Sequence, residues 1–172
     1  MSLQQEYWNE RFASEGAIWG MDACKAAICS EKVFRENNVY SILVPGCAYG
    51  RNSLYLASKG FNVLAFDISE EAIKIAQKEL ETKGDYPIKY RHGNILEVNI
   101  EQHFDGILSI NLLHLFNREE AEKILSRFHE LLNVDGVLVL TSMSTNDADY
   151  GKGTKIDDYT FESKKGRRKS LK

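Results

Sequence analysis

The sequence predicts an α/β domain built on a doubly wound, mostly parallel sheet. Apolar, strand-like runs alternate along the chain with segments that have the apolar spacing of amphipathic helices. The apolar runs also lack the alternation of polar and apolar residues that marks a sheet with one face in water. Strands separated by helices need right-handed crossovers, and these place helices on both faces of a parallel sheet.

Five strands and five helices are expected from these patterns. The strands cover residues 39–44, 61–66, 88–91, 105–110 and 137–142. Three core helices cover about 53–58, 69–83 with Ser69 as its cap, and a segment after Asn117 whose Glu120 completes a capping box. Asp135 and Gly136 are expected to form a turn. Two more helices, at about 3–14 and 22–37, come before the first strand.

A single domain is predicted over residues 1–172, with an N-terminal helical cover at 1–38, a core at 39–145 and a short extension at 146–172. A net charge of −3 and a pI near 5.8 give no general attraction to nucleic acid or anionic membranes. Cys24, Cys29 and Cys47 cannot all pair and form no CxxC, which favours a reduced, cytoplasmic protein. No apolar run reaches membrane length, and the N-terminus lacks a signal-peptide core.

The loop GCAYG, residues 46–50, follows the first predicted strand and indicates a ligand site. Ligands of such sheets bind beyond the carboxyl ends of the strands. Asp67 ends the second apolar run, where a carboxylate either accepts hydrogen bonds from a ribose or caps the helix after Ser69. Arg51 stands at the third position of the dinucleotide fingerprint GxGxxG, so a nucleoside without phosphate suits the loop better than NAD does.

Residues 43–73, LVPGCAYGRNSLYLASKGFNVLAFDISEEAI, resemble the cofactor half of class I, Rossmann-like methyltransferases that depend on S-adenosylmethionine. The LVPGC opening is similar to thiopurine methyltransferases, and GRNSLYLA with the later TNDADYG resembles tellurite-resistance methyltransferases. The resemblance implies that the loop 46–50 lies against the methionine portion, that Asp67 holds the ribose and that Asn94 and Ile95 flank the adenine. The full set of expected cofactor-binding residues is Arg11, Trp19, Gly46, Cys47, Ala48, Gly50, Asn52, Asp67, Ile68, Asn94, Ile95, Ile110 and Asn111.

Three features depart from the pattern of that family. Ala48 occupies the place of the middle glycine, and Asn94 replaces the usual aspartate after the third strand. The fold is expected to be short at its C-terminus, because the chain ends at Lys172 where the family continues into a helix and a strand pair. The resulting open sheet edge indicates either a truncated chain or a homodimer that pairs this edge.

The predicted function is methyl transfer from S-adenosylmethionine to a small molecule, driven by positioning and desolvation. A non-catalytic or truncated cofactor-binding domain is the alternative. A nicotinamide-dependent oxidoreductase is disfavoured because the phosphate-binding glycines are missing. A nucleic-acid methyltransferase is disfavoured because residues 110–113 read INLL and lack the prolines and the aromatic residue of the amino-modifying enzymes.

Several other residues allow two interpretations of their role. The aromatic residues and arginine of YWNERFASEGAIWG either close over the cofactor or anchor the first helix to the core. His114 and Tyr49 are weak catalytic candidates. Cys47 is expected to be a small buried side chain that fills space and not a nucleophile. No metal site is predicted, because the other histidines lack ligand spacing. After the fifth strand, a segment with Asp147, Asp149 and Tyr150 either contacts the substrate or forms a turn. A short edge strand could form at residues 159–161. The basic tail, residues 163–172, either binds phosphate or is solvated.

Overall fold

Five parallel strands form the central sheet of the computed structural model, in the order β3-β2-β1-β4-β5. The structure describes residues 2–144, 146–148, 150–158, 160–162 and 168–170. The strands are β1 (Ser41–Pro45), β2 (Asn62–Asp67), β3 (Ile88–His92), β4 (Phe104–Ile110), β5 (Leu132–Thr141), β6 (Thr154–Lys155), β7 (Thr160–Glu162) and β8 (Arg168–Ser170). The helices are α1 (Leu3–Glu15), α2 (Lys25–Glu36), α3 (Arg51–Ser58), α4 (Glu70–Lys83) and α5 (Arg118–Leu131), with a 3₁₀ helix at Leu113–Leu115.

Strand order reverses between β1 and β4, because the chain builds outward from β1 to β3 on one side and then returns to β4 and β5 on the other. Leu43 of β1 pairs with Leu64 on one side and with Ile107 on the other. The predicted doubly wound parallel sheet is confirmed. Its switch point lies at the carboxyl ends of β1 and β4, where such folds bind ligands.

Alternate residues of β1 enter two separate layers of the core. Ile42 and Val44 pack with Phe34 of α2 and Leu56 of α3 on one face of the sheet. Leu43 packs on the other face with α5 residues that include Phe128. Both faces of β1 are therefore covered by helices, which explains why the strand is apolar at every central position.

The predicted caps of α4 and α5 form, whereas α3 starts two residues before the predicted residue 53. At α5, Glu120 N–H donates to Asn117 Oδ1 at 2.9 Å and Asn117 N–H donates to Glu120 Oε2 at 3.0 Å, which completes the capping box. Ser69 caps α4 by accepting from Ala72 N–H. At α3 the cap is Gly50, in the left-handed conformation, and the helix begins at Arg51. Asn52 lies inside the first turn, and its Oδ1 instead accepts from Cys24 N–H at 2.9 Å.

Strand β5 starts earlier than predicted and includes the expected turn at Asp135. The pairing Phe104↔Leu132 is followed by Gly106↔Val137, so the extra residues of β5 form a bulge. Asp135 takes a φ of 62° within it. The turn residues identified in the sequence thus bend a strand that continues through them.

The segment after β5 forms a second, antiparallel sheet of three strands, β6-β7-β8. The predicted strand near residues 159–161 therefore forms as β7, but it belongs to this small sheet and not to the edge of the main one. Thr145, Asp149 and most of the basic tail lie outside the described residues. Within the described ranges, no helix has both the length and the apolar character needed to cross a membrane.

Candidate functional site

A cavity of about 240 Å³ opens at the carboxyl ends of the parallel strands. Its wall combines the loop after β1, the ends of β2 and β4, the segment after β3 and the N-terminal helix. Two weak catalytic candidates, Tyr49 and His114, face it. The predicted cofactor-binding residues that line it are Trp19, Gly46, Cys47, Ala48, Asn52, Asp67, Ile68, Asn94, Ile95, Ile110 and Asn111.

The loop after β1 favours glycine at position 46, where φ is 67° and the side chain of Leu112 lies close by. A Cβ added at Gly46 would lie 2.7 Å from Cδ1 of Leu112. Ala48, two residues on, has a φ of 50°, a left-handed conformation that costs a residue with a side chain about 1–2 kcal/mol. The Ala48 N–H compensates by donating to Asp67 Oδ2 at 2.8 Å. Alanine therefore adopts the backbone shape that the middle glycine was expected to provide.

Gly50 does not line the cavity, contrary to the prediction. A Cβ at Gly50 would lie 2.5 Å from the hydroxyl oxygen of Tyr90 and 2.9 Å from Cβ of Ala76. These two side chains come from β3 and α4, beneath the loop. Gly50 is thus required for packing and for the left-handed start of α3, and a larger residue there would press into the core instead of filling the cavity.

Of the two predicted roles of Asp67, the N-cap of α4 is taken by Ser69, and the ribose contact stays a prediction. Its side chain lines the cavity, is 8% exposed, and accepts hydrogen bonds from Ala48 N–H and from Ser69 N–H at 2.9 Å. Burial raises the pKa of Asp67, and the backbone hydrogen bonds from Ser69 and Ala48 oppose that rise. A carboxylate has about four lone-pair sites, so two backbone donors leave capacity for ligand hydroxyls.

The segment after β3 supplies a mainly apolar part of the wall. Ile95 is buried and, with Ile68 at the end of β2, lines the cavity. Asn94 uses its side chain within its own turn, where Oδ1 accepts from Leu96 N–H at 3.1 Å and Nδ2 donates to Glu97 at 3.4 Å. Both ends of this side chain therefore make local hydrogen bonds, and Oδ1 keeps a second lone pair for a ligand donor.

Helix α1 closes one side of the cavity with aromatic residues. Trp8 and Phe12 are buried and line the cavity, and Trp19 stacks on Tyr49 at a centroid distance of 6.0 Å while 45% exposed. The Tyr49 hydroxyl donates to the carbonyl oxygen of Gly20 at 2.9 Å and accepts from Trp19 N–H at 2.8 Å. Burial also raises the pKa of Tyr49. Tyr49 consequently anchors the N-terminal segment, and the aromatic residues pack on one another while they line the cavity.

Arg11 was expected at the site but lies outside the cavity wall. Its guanidinium is 5.7 Å from the Trp8 ring and 5.9 Å from the Trp19 ring, and it pairs with Glu15. Arg51, expected only to interrupt the glycine fingerprint, does line the cavity. It lies 6.0 Å from the Trp19 ring and donates to the carbonyl oxygens of Trp19 and Asp22. The two arginines thus hold the loop that carries Trp19.

The remaining candidates occupy different parts of the wall. His114, in the 3₁₀ helix after β4, is 3% exposed and lines the cavity. Burial and the negative charge of Asp67 raise the pKa of the Cys47 thiol well above its usual value. A nucleophilic cysteine needs a lowered pKa, so this thiol fits a small buried side chain that fills space. Asp147 and Tyr150 lie in a hydrogen-bonded turn outside the wall. The described part of the chain holds no group of three or more His, Cys, Asp or Glu residues placed to bind a metal ion.

Sequence reasoning missed several cavity residues that are distant in the chain. The missed residues are Gln4, Phe12, Val44, Phe66, Leu115, Phe116 and Met143. Gln4 and Phe12 could have been predicted from their spacing in the sequence. Together with Trp8 they are spaced by four residues on a helix, which places all three on one face. The others depend on how the ends of β4 and β5 meet the loop after β1.

A family model described as a methyltransferase domain matches residues 42–136. That stretch is more than half of the chain and contains the glycine loop, Asp67 and the end of β4. The chain belongs to this methyltransferase family. The predicted class I family and its cofactor, S-adenosylmethionine, are confirmed with it.

This methyltransferase resembles other proteins in sequence and in structure, over different lengths. It is 35% identical over 107 residues to a Haemophilus influenzae protein named "Probable S-adenosyl-L-methionine-dependent methyltransferase TehB", covering 62% of this chain and 37% of TehB. An S-adenosylmethionine-dependent methyltransferase from Clostridium acetobutylicum superposes with a TM-score of 0.69 at 20% identity, over 91% of this chain and 66% of that one. The 1,6-didemethyltoxoflavin-N1-methyltransferase of Burkholderia thailandensis, solved with 1,6-didemethyltoxoflavin and S-adenosylhomocysteine, gives 0.67 at 19% identity, over 97% and 69% of the two chains. The chain thus spans well under half of TehB, and the solved structures share its fold.

Proposed function

We propose that the cavity binds S-adenosylmethionine and that the protein transfers its methyl group to a small molecule. The observation that carries the proposal is the position of the Asp67 carboxylate. It lines the cavity beside a loop whose glycine permits close approach, at the switch point of a parallel sheet. Family membership supplies the reaction class.

The residues present fit a nucleoside that bears no phosphate. Ile68 and Ile95 offer apolar surface for a purine ring, and Asp67 offers acceptors for ribose hydroxyls. Among the described residues of the wall, Arg51 carries the one Lys or Arg side chain, and its guanidinium already donates to two backbone carbonyls. A pyrophosphate would find no cluster of cations here, which favours S-adenosylmethionine over a nicotinamide dinucleotide.

When bound, the cofactor supplies an electrophilic methyl group on a positively charged sulfur. The protein's own residues then have to position the two reactants and exclude water. Trp8, Phe12 and Trp19 cover one side of the cavity with aromatic surface. Leu115, Phe116 and Met143 add apolar surface from the segments after β4 and β5. Such a wall solvates a cation poorly, and aromatic faces attract one.

A small acceptor is supported by the cavity's size and cover. The space of about 240 Å³ is closed on one side by α1, which would have to leave before a folded macromolecule could enter. The Burkholderia methyltransferase of the same fold holds the small molecule 1,6-didemethyltoxoflavin. For an acceptor that must lose a proton, His114 is the candidate base, since the Tyr49 hydroxyl is engaged with backbone.

Calorimetric titration of the purified chain tests the cofactor site. S-adenosylhomocysteine and S-adenosylmethionine should bind, and NAD should not. Asp67→Ala should weaken S-adenosylhomocysteine by about 1–3 kcal/mol, because charge-assisted hydrogen bonds to the ribose are lost. Glu71→Ala, which removes a carboxylate from the first turn of α4 outside the cavity, is the matched control and should bind as wild type does. Wild-type affinity in a folded Asp67→Ala protein would refute the ribose role.

Transfer itself is tested with S-adenosylmethionine labelled on the methyl group. The label should move to at least one member of a panel of small thiols, metalloid oxyanions, amines and hydroxyl compounds, with S-adenosylhomocysteine as the second product. Tight binding of the cofactor without transfer to any class of acceptor would favour the non-catalytic binding domain.

A further inference from the structure

We infer that Gln4, in the first turn of α1, binds the nucleoside end of the cofactor through its side-chain amide. The inference rests on the proposed function and adds a contact from outside the matched methyltransferase stretch, which begins at residue 42. Gln4 lines the cavity. Its Nε2 atom is fully buried and has no hydrogen-bond partner among the residues that the structure describes.

A buried amide without a partner is unfavourable, and its position on α1 makes it more so. Gln4, Trp8 and Phe12 form one face of the helix. Both aromatic residues of this face are buried in one apolar cluster with Tyr49 and Ala72. A third apolar residue would complete this face at no cost in desolvation. Burying an amide donor instead is unfavourable unless an acceptor meets it. The cavity that Gln4 lines is where a ligand can bring that acceptor.

Neighbouring hydrogen bonds show which end of the site Gln4 serves. The Gln5 amide lies 3.2 Å from Nε2 of His92 at the end of β3, and His92 Nε2 lies 2.9 Å from the carbonyl oxygen of Ile68. One turn further on, Asn9 Oδ1 accepts from the Ser69 hydroxyl at 2.8 Å. The start of α1 is therefore fixed over the ends of β2 and β3.

The same strand ends carry Asp67, Ile68 and Ile95, the residues proposed to hold the ribose and the purine ring. The acceptors that a nucleoside offers at this end are ring nitrogens and ribose oxygens, and a carboxamide can donate to either. The other end of the cavity, next to the sulfonium, is bounded by the segment after β4. Gln4 consequently contacts the nucleoside and ties α1 to the bound cofactor.

Gln4→Leu tests the contact because leucine is of similar size and removes the donor. The dissociation constants for S-adenosylhomocysteine and for adenosine should both rise by about 3- to 10-fold, and the melting temperature without ligand should stay the same or rise. Gln77→Leu on α4 is the matched control, because Gln77 is exposed on a helix outside the cavity. It should bind both ligands as wild type does.

Each alternative gives a different result. Unchanged binding in Gln4→Leu, with normal binding in wild type, overturns the inference and leaves the proposed function standing. A lower melting temperature without ligand assigns Gln4 a structural role instead. Loss of affinity for S-adenosylhomocysteine but not for adenosine moves the contact to the methionine end and also overturns it. If wild type binds neither ligand, the proposed function fails first. Should Gln4→Leu not fold, Gln4→Asn, which shortens the side chain but keeps it polar, should show the same loss for both ligands.

Discussion

Ala48 shows how a single residue sets the shape of the ligand loop. Its φ of 50° lies in the region that glycine adopts freely, and the hydrogen bond to Asp67 holds it there. The resemblance to the methyltransferase family implies a glycine at this position. The chain therefore carries a small backbone strain directly at its candidate site.

Ala48→Gly should raise the free energy of unfolding by about 0.5–1 kcal/mol, because the relief of left-handed strain exceeds the greater entropy of glycine in the unfolded chain. Urea unfolding measures the change. Ala57→Gly in α3 is the control, and it should lower stability by at least about 1 kcal/mol because Ala57 is buried in a helix. A loss of stability in Ala48→Gly would show that Ala48 is not in a left-handed conformation.

Individual site residues were predictable where the strand pattern located them. Asp67 and Ile110 end apolar runs, and the ends of parallel strands meet at one edge of the sheet. Arg11 was not predictable in this way. The rotation of α1 about its axis depends on the packing of Trp8 and Phe12 against Tyr49, a contact between distant parts of the chain. That packing places Arg11 beside Glu15 and over the Trp8 ring, and it leaves Gln4 in the cavity wall.

At the scale of elements, the turn from β1 into α3 depends on Gly50 for packing. The resemblance stated from the sequence placed the ligand against the loop 46–50, including Gly50. The structure places Tyr90 and Ala76 where the side chain would go. The glycines in the sequence indicated that another group comes close to the loop backbone. They could not show whether that group is the ligand or a side chain of the core.

Gly60 provides a matched comparison, because it also has a positive φ but faces open space. Gly50→Ala and Gly60→Ala should both lower stability through left-handed strain, by about 1–2 kcal/mol each. Gly50→Ala should lose at least about 1 kcal/mol more, because its Cβ meets Tyr90 and Ala76. Thermal or urea unfolding gives both values. Equal losses would mean that Gly50 is not packed as described.

Element types followed from periodicity, whereas boundaries depended on neighbouring strands. The capping box at Asn117 formed as predicted because it uses only local backbone groups. The start of β5 was misplaced because Asp135 and Gly136 are typical of turns. Pairing with β4 extends the strand through them as a bulge. Such an override by tertiary pairing leaves no mark in the local sequence.

For the molecule as a whole, the end of the sheet opposite the cavity is joined by Asp105. One carboxylate oxygen accepts from Tyr40 N–H and Ser41 N–H, at 3.1 and 2.8 Å, and the other accepts from Asn133 at 2.8 Å. This joins β4 to β1 and β5. Partial burial acts to raise the pKa of Asp105, but the hydrogen bonds from Ser41, Asn133 and Tyr40 outweigh it and lower the pKa. Stability and ligand binding are thus supported at opposite ends of the strands.

Asp105→Ala should lower the free energy of unfolding by about 1–3 kcal/mol at neutral pH while leaving affinity for S-adenosylhomocysteine unchanged. The folded-state pKa is lowered, so the carboxylate's contribution is present above the unfolded value of about 3.9 and is lost as pH falls through the folded pKa. The stability difference between wild type and Asp105→Ala should therefore shrink on acidification. A difference that grows in acid, or a large loss of affinity, would contradict this separation.

The parallel, doubly wound character of the main sheet could be anticipated from the alternation of strands and helices, but the second sheet could not. Strands β6, β7 and β8 are two or three residues long, too short for a periodic pattern. Within the described ranges, β5 pairs in the main sheet only with β4, in line with the expected open edge. The homodimer, the single-domain boundaries and the cytoplasmic location stay predictions.

The most direct measurement is a crystal structure of the chain grown with excess S-adenosylhomocysteine. Electron density for the nucleoside should fill the cavity between the loop 46–50 and the end of β4, with the ribose hydroxyls on Asp67. Density for the ligand elsewhere on the molecule, or a ribose turned away from Asp67 within the cavity, would contradict the assignment of this site.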